Sequence, residues 1–365
     1  MNGWGLCSRF LFALMVLFSA RMEAQRKSDR SHAEHLYFGY PVVFYSPETR
    51  LGFGASGFYG FRADTTDTLT PVSTIQMGAM YTLNRQFIFT VPFQLFSKAR
   101  KHTLYGEFTL NRFFYNFYGA GFALPAVTEE RYEVQFPRIR LHYLRRLSEH
   151  WYAGARYWAE HQRILETKED GLLDSGTIPG GNGGRSAGPG LVVQFDARDN
   201  VISSRSGQYI ELSWHHQSNH TGSDYFFDRV RLDTRTFHPL GQRGTLALMA
   251  MGERLTGSPP FFSMASLGSD RRMRGYYDGY FRDHSLGLVQ GEYRHRVWKM
   301  ISAVAFASAG WMDASFRTFT LPNTIWTAGA GARFMLDPSS RVTLRLDYAI
   351  GQYSDAVYFT MGEAF

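Results

Sequence analysis

Three spots in this sequence hold residue types that do chemistry in other settings. His215, His216 and His220, with Gln217, Ser218 and Asn219 between them, have the composition of a metal site, because imidazoles close in sequence at a strand end can converge on one ion. Adjacent residues of a strand point to opposite faces, however, so His215 and His216 do not share an ion, and the cluster is better read as the polar start of a loop. Gly180-Gly-Asn-Gly-Gly184 has the glycine density of a phosphate cradle. No Gly-Lys-Ser/Thr and no helix complete that cradle, so the stretch reads as a flexible external loop. No Gly-x-Ser-x-Gly nucleophile elbow occurs, and the scattered Asp, His and Ser residues form no recognisable triad. The single cysteine, Cys7, lies near the N-terminus and gives neither a disulfide nor a thiolate metal site. The expectation is a protein without enzymatic activity, cofactor or metal.

What remains is a long series of arginines and acids placed at alternate positions. Arg138, Arg140, Arg156, Arg198, Arg229, Arg231, Arg294, Arg296, Arg333 and Arg345 share faces with Glu107, Glu160, Asp196, Asp233, Glu292 and Asp347. The net charge of +7 and pI of about 9.4 raise nucleic acid as a partner. The arginines are spread along strand faces, and no helix or patch gathers them, so nucleic acid is excluded. Charge ladders of this kind fit the polar interior of a closed barrel, as ion-paired, partly hydrated rows. With arginines in excess on that face, any ion flow through it should favour anions.

The elements that carry these ladders are strands. Aromatic residues reach 16% and charged residues only 19%, with 36 Gly, 31 Phe and 21 Tyr, a composition suited to large pleated faces. Ile75, Met77, Ala79, Tyr81 and Leu83 alternate with Thr74, Gln76, Gly78 and Thr82, and Val342, Leu344, Leu346 and Tyr348 alternate with Thr343, Arg345 and Asp347. Division at the turn residues yields about sixteen segments, the first near Tyr40 to Tyr45 and the last near Val357 to Phe365. Alternation alone fits a soluble sandwich as well as a membrane barrel. The connections separate the two: those near 112–130, 167–187, 256–283 and 312–324 are long, whereas Leu147 to His150, Trp298 to Met300 and Asp337 to Ser340 are tight. Short turns at one end and long loops at the other are the asymmetry of outer-membrane barrels, and only the second connection, Ala63 to Thr70, departs from it. The expected fold is all-β, a transmembrane antiparallel β-barrel of about sixteen strands.

The N-terminus supplies the route. Arg9, the apolar run Phe10 to Ala20 and the small Ala24 read as a secretory signal over residues 1–24, since the run is about half of the ~20 residues that a spanning helix needs. A short periplasmic segment, 25–38, then precedes the barrel, 39–365.

Several segments together resemble the BamA/TamA-like barrels of the bacterial surface antigen family. Asp196-Ala-Arg-Asp-Asn200 with Arg205-Ser-Gly207 is similar to that family's strand, periplasmic turn and next strand, and Leu267-Gly-Ser-Asp270 with Met273-Arg-Gly-Tyr-Tyr277 resembles its sixth external loop. Gly329 to Arg333, Arg345 to Ala349 and Phe359 to Phe365 are similar to its last strands. The resemblance implies that the tip Arg274, Gly275 and Tyr276 folds back into the lumen, where Arg274 meets acids on following strands. The matching positions are Glu292 and Ser308, so one acidic partner is missing and Glu292 should carry most of the contact. Phe365 resembles the C-terminal aromatic by which assembly machinery recognises outer-membrane strands. The family's assembly factors work through periplasmic domains of about eighty residues, for which the stretch before Tyr40 is too short.

The resemblance further implies an outer-membrane protein of a Gram-negative cell that assists insertion or translocation of proteins or lipids. A seam between the first and last strands would serve as the working edge. The alternative is a passive, anion-biased pore or a structural barrel. The partners implied are outer-membrane lipid and lipopolysaccharide, protein or lipid clients, and the machinery that inserts the barrel itself.

Overall fold

The computed structural model describes residues 35–46, 50–62, 70, 72–121, 129–201, 203–337 and 341–365. The expected leader, most of the 25–38 segment and most of the second connection lie outside the described residues.

The chain forms β1 (His35–Ser46), β2 (Arg50–Phe61), β3 (Ser73–Thr82), β4 (Phe87–Phe96), β5 (His102–Phe117), β6 (Glu130–Arg146), β7 (Trp151–Glu166), β8 (Gly184–Asp196), β9 (Gly207–Gln217), β10 (Phe227–Leu240) and β11 (Gly244–Gly257). A short pair, β12 (Ala265–Leu267) and β13 (Phe281–Asp283), follows. The series resumes with β14 (Ser285–Arg296), β15 (Ile301–Asp313), β16 (Ile325–Asp337), β17 (Val342–Gly351) and β18 (Asp355–Met361). Sixteen of these strands form one antiparallel sheet in which each pairs with the next, β11 pairing with β14 across the short hairpin. β1 and β18 stand at the two ends of the sheet order.

The burial pattern decides between sandwich and membrane barrel, because it is inside out. On β3 the apolar Met77 and Tyr81 are 58% and 45% exposed, while the polar Gln76 and Thr82 between them are 1% and 0% exposed. Leu191, Leu212, Leu346 and Val289 on other strands are exposed in the same way, and Arg138, Glu253, Arg333 and Asp347 are buried. A sandwich in water would bury the apolar set. A sheet that exposes it is stable only where the surroundings are hydrocarbon and the interstrand ladder satisfies every backbone group. Trp151 and Trp298 stand outward near one end of the wall and Trp214 and Trp326 near the other, as interfacial belts require. The fold is a transmembrane antiparallel β-barrel of the outer membrane.

Three expectations change. β1 begins at His35, inside the segment expected to precede the barrel. β18 ends at Met361, so Phe365 lies beyond the last strand. The connection 197–206 between β8 and β9 is also no tight turn, a second exception on the trimmed side.

Candidate functional site

The connection between β11 and β14, the sixth on the long-loop side, folds into the lumen. Its hairpin β12–β13 draws residues 268–280 into a tip. Met273 and Gly275 take positive φ, 56° and 116°, and this double bend turns Arg274 toward the wall. The tip is anchored on β17, β18 and the turn between them. Gly275 N donates to the Tyr358 hydroxyl at 2.9 Å, which itself donates to the Tyr276 carbonyl at 3.1 Å. Ser354 Oγ donates to the Gly275 carbonyl, and Gln352 N donates to the Tyr276 hydroxyl at 2.8 Å. The hydroxyl end of the Tyr276 ring lies against Gly351, where an added Cβ would come within 2.6 Å of it, so only glycine leaves room for it there. Burial raises the Tyr276 hydroxyl to about 12, which keeps it a hydrogen-bonding phenol.

Arg274 is 1% exposed and sits between two carboxylates, Nη2 at 2.6 Å from Glu292 and Nη1 at 2.6 Å from Asp347. Its guanidinium is 3.4 Å from the centre of the Phe306 ring. The expected missing partner is therefore present, supplied by Asp347 on β17, and Glu292 shares the contact equally. Alternation places Asp347 inward, but which inward acid the tip reaches depends on how deeply the loop descends. Ser308 does not touch Arg274. Its hydroxyl lies 3.4 Å from Gln290 Oε1, which accepts from Met273 N, so it supports the tip from one residue away.

The pair is part of a larger network. Arg294 reaches Glu292 at 2.6 Å, and Arg333 reaches Glu363 at 2.9 Å, Glu292 at 3.4 Å and Asp347. Arg345 reaches Asp270 at 2.9 Å and Asp347 at 3.6 Å. Four guanidinium groups (Arg274, Arg294, Arg333, Arg345) thus face four carboxylates (Asp270, Glu292, Asp347, Glu363). Charge balance and mutual hydrogen bonds offset the desolvation that each ion suffers, so the network is costly to disturb and adds little net stability. Asp270 and Glu363 lie off the strands, in the loop tip and the C-terminal tail, where a two-residue period has no purchase.

The other expected positions divide. Asp196, the last residue of β8, pairs at 2.7 Å with Arg198 in the connection that follows, with Arg198 4.5 Å above the Tyr209 ring, and the two stand apart from the network. Arg296, expected inward, is exposed at the end of β14 and donates to the Gln242 carbonyl at 3.4 Å. Phe365 turns into the barrel, where its ring centre lies 5.9 Å from the Arg294 guanidinium and its main-chain oxygen accepts from Arg294 at 3.1 Å. His215 points inward onto Trp158, with ring centroids 3.8 Å apart, and His216 outward to Asp228 at 3.0 Å. The glycine-rich loop is built of tight turns rather than free chain: Gly183 N donates to Gly180 O at 2.8 Å, and the Tyr225 hydroxyl donates to Gly183 O. Glu211 and Glu253, which pair with Arg156 and Arg229, are further lumenal acids. Together with Asp270 and Glu363 they raise the lumenal acids from six to ten, while Arg235 and Arg274 join the arginines and Arg296 leaves them, so the excess on which the anion bias rested shrinks from four to one.

Connections pack inward at both ends of the barrel. On the long-loop side the Glu130 carboxylate accepts from Leu172 N and Leu173 N at 2.7 and 3.3 Å, and Phe117, Phe136, Leu173, Phe261 and Phe262 pack together above the ladders. On the other side connection 197–206 reaches the β16–β17 turn, where Arg341 bonds Asp199 at 2.6 Å and the Ser203 carbonyl at 3.3 Å. Ser203 Oγ also donates to Glu363 at 3.4 Å, which ties this connection to the C-terminal tail.

Comparison with solved structures finds the same architecture at low identity. BamA from Haemophilus ducreyi lacking POTRA domains 1–3 superposes with a TM-score of 0.58 at 13% identity, covering 91% of this chain and 70% of that one. CdiB from Escherichia coli gives 0.62 at 11%, covering 91% and 63%, and CdiB from Acinetobacter baumannii 0.57 at 11%, covering 91% and 60%. The chain thus spans about two thirds of the length of these structures. No curated protein matches it by sequence. The profile described as the Omp85 superfamily domain matches residues 74–365, which takes in the loop tip, the network and the tail. The chain belongs to the Omp85 superfamily.

Proposed function

We propose that this barrel assists the insertion or translocation of proteins or lipids at the outer membrane, using the edge between β1 and β18 and not an open channel. The observation that supports this reading most is the end of the sheet. β18 pairs with β17 through seven positions, from Asp355 to Met361, Gly362 N still donates to the Thr343 carbonyl at 2.8 Å, and residues 363–365 then leave the wall and bond inside. A short last strand leaves backbone donors and acceptors for an incoming strand, the condition for β-augmentation. The loop tip inside the lumen and the buried Arg274 lock speak against a standing pore. Lipopolysaccharide and phospholipid surround the wall, client proteins or lipids meet the seam, and Phe365 serves the chain's own assembly before it folds inward. Depletion of the protein followed by outer-membrane proteomics tests the reading: selective loss of other outer-membrane proteins or of lipid supports it. An unchanged membrane, together with steady ohmic conductance of the purified barrel in planar bilayers, would replace it with the passive pore.

A further inference from the structure

The wall has one stretch where the outer aromatic belt is not built by the strands. On β11, β14 and β15 the row at belt level reads Gly252, Gly287, Trp311, directly paired across the sheet, so two of three positions carry no side chain. The connection 314–324 between β15 and β16 turns outward and fills them. An added Cβ on Gly287 would meet the Phe319 ring at 3.0 Å, and one on Gly252 would meet the Phe316 ring at 4.0 Å. The two phenylalanines pack edge to face at 5.4 Å, and the Trp311 indole N–H donates to Thr324 Oγ1 at 2.9 Å. Arg254 donates to the Ala314 carbonyl and pins the start of the flap, while Asp313 caps Ala314 N. Leu321 projects at 83% exposure and Phe316 remains 45% exposed.

One step toward the membrane centre, the next two outward rows are mostly small or slender, including Thr234, Ala250, Val289, Gly291 and Ala307. A shallow apolar groove of about 740 Å³ lies along them, on the same strands that the flap covers. Arg317 stands exposed in the flap.

We propose that connection 314–324 is a lipid-docking flap. An outer-leaflet lipid lays one acyl chain in the groove beneath Phe316 and Phe319, Leu321 enters the leaflet beside it, and the anionic headgroup meets Arg317. The complementarity lies in an apolar groove on the outward rows of β11, β14 and β15, the flap's aromatics on the adjoining row, and an exposed guanidinium in the flap. This goes beyond the proposed role at the seam and does not depend on it.

The test uses the full chain with Cys7→Ser, in which single cysteines carry an environment-sensitive fluorophore, reconstituted into phosphatidylcholine vesicles containing equal fractions of brominated phosphatidylcholine or brominated phosphatidylglycerol. Leu321→Cys should emit blue-shifted and be quenched, whereas Ser175→Cys in the connection between β7 and β8 should not. Leu191→Cys on the bare wall reports insertion independently, so a failed reconstitution is distinguished from a failed flap. Brominated phosphatidylglycerol should quench at position 321 more than brominated phosphatidylcholine, by up to about fivefold at low salt, and Arg317→Glu should abolish that preference. A label at 321 that behaves like the one at 175 while 191 is quenched would overturn the flap. Equal quenching by the two lipids in the parent chain would overturn the headgroup assignment.

Discussion

Removal of Arg274 is the perturbation whose cost the structure constrains best. The guanidinium makes two charge-assisted bonds of 2.6 Å, to Glu292 and Asp347, with both carboxylates fully buried. Arg274→Ala leaves three arginines against four carboxylates in the network. Glu292 keeps Arg294 and Arg333, and Asp347 keeps Arg333 and Arg345, so neither acid is stranded. One uncompensated buried charge then sets the cost at about 3–5 kcal/mol, toward the lower end because the remaining arginines share it. Glu292→Ala tips the balance the other way and takes a partner from Arg274, Arg294 and Arg333 together, also at about 3–5 kcal/mol. The double variant returns the network to three against three, so its cost should fall short of the sum by about 2–3 kcal/mol. Urea unfolding in detergent, followed by the gel-mobility shift of the folded barrel and by tryptophan fluorescence, measures all three, with Asp224→Ala at an exposed pair as the small-effect reference. In a Cys7→Ser background, Arg274→Cys should react slowly with a bulky thiol reagent and Ser175→Cys quickly. Gly183 is unsuitable as the fast site, since it is buried at φ 81° and a Cβ there would lie 2.2 Å from the Gln162 carbonyl. Additivity within about 0.5 kcal/mol, or fast labelling at 274, would refute the buried network.

Three further outcomes follow from the same geometry. Arg341→Ala should free connection 197–206 for tryptic cleavage while leaving the bonds of Asp199 to Arg205 N and Ser206 N in place, and Arg341→Lys should keep it protected; unchanged cleavage in Arg341→Ala would mean that this contact does not hold the connection. The Asp224 carboxylate is held below the usual carboxylate range by its bonds from the Arg185 side chain and backbone N–H. Its tether is therefore complete above the unfolded value near ~3.9 and lost as pH falls through the lower folded value, so hydrogen exchange in residues 218–226 should rise only below about pH 4; a rise near neutral pH would contradict the assignment. In planar bilayers the parent chain should show no steady ohmic channel, and deletion of residues 269–279 should open one with weak ion selectivity, whereas strong anion preference by reversal potential would mean that the lumenal acids do not balance the arginines.

Much of this protein is local in origin. A pleated strand has a period of two, so the order Ile75-Gln-Met-Gly-Ala-Met-Tyr-Thr82 by itself assigns each side chain to one of two faces, and turn residues divide the chain into about sixteen such strands. Arg333, Arg345 and Asp347 were legible as one polar face for the same reason, and Arg274-Gly-Tyr276 as a bend, because Gly275 admits the positive φ that the bend uses. What periodicity leaves open is which face meets water, and only the assembled sheet answers it, by burying Gln76 and exposing Met77. Nor does a period reach residues outside strands. Asp270, Glu363 and Phe365 become members of the lumenal network through the descent of a loop and the inward turn of a tail, both set by long-range packing against β14, β16 and β17. Asp347 completes the Arg274 site on the same grounds: its face is a property of its strand, but its partner depends on where a loop 73 residues earlier comes to rest.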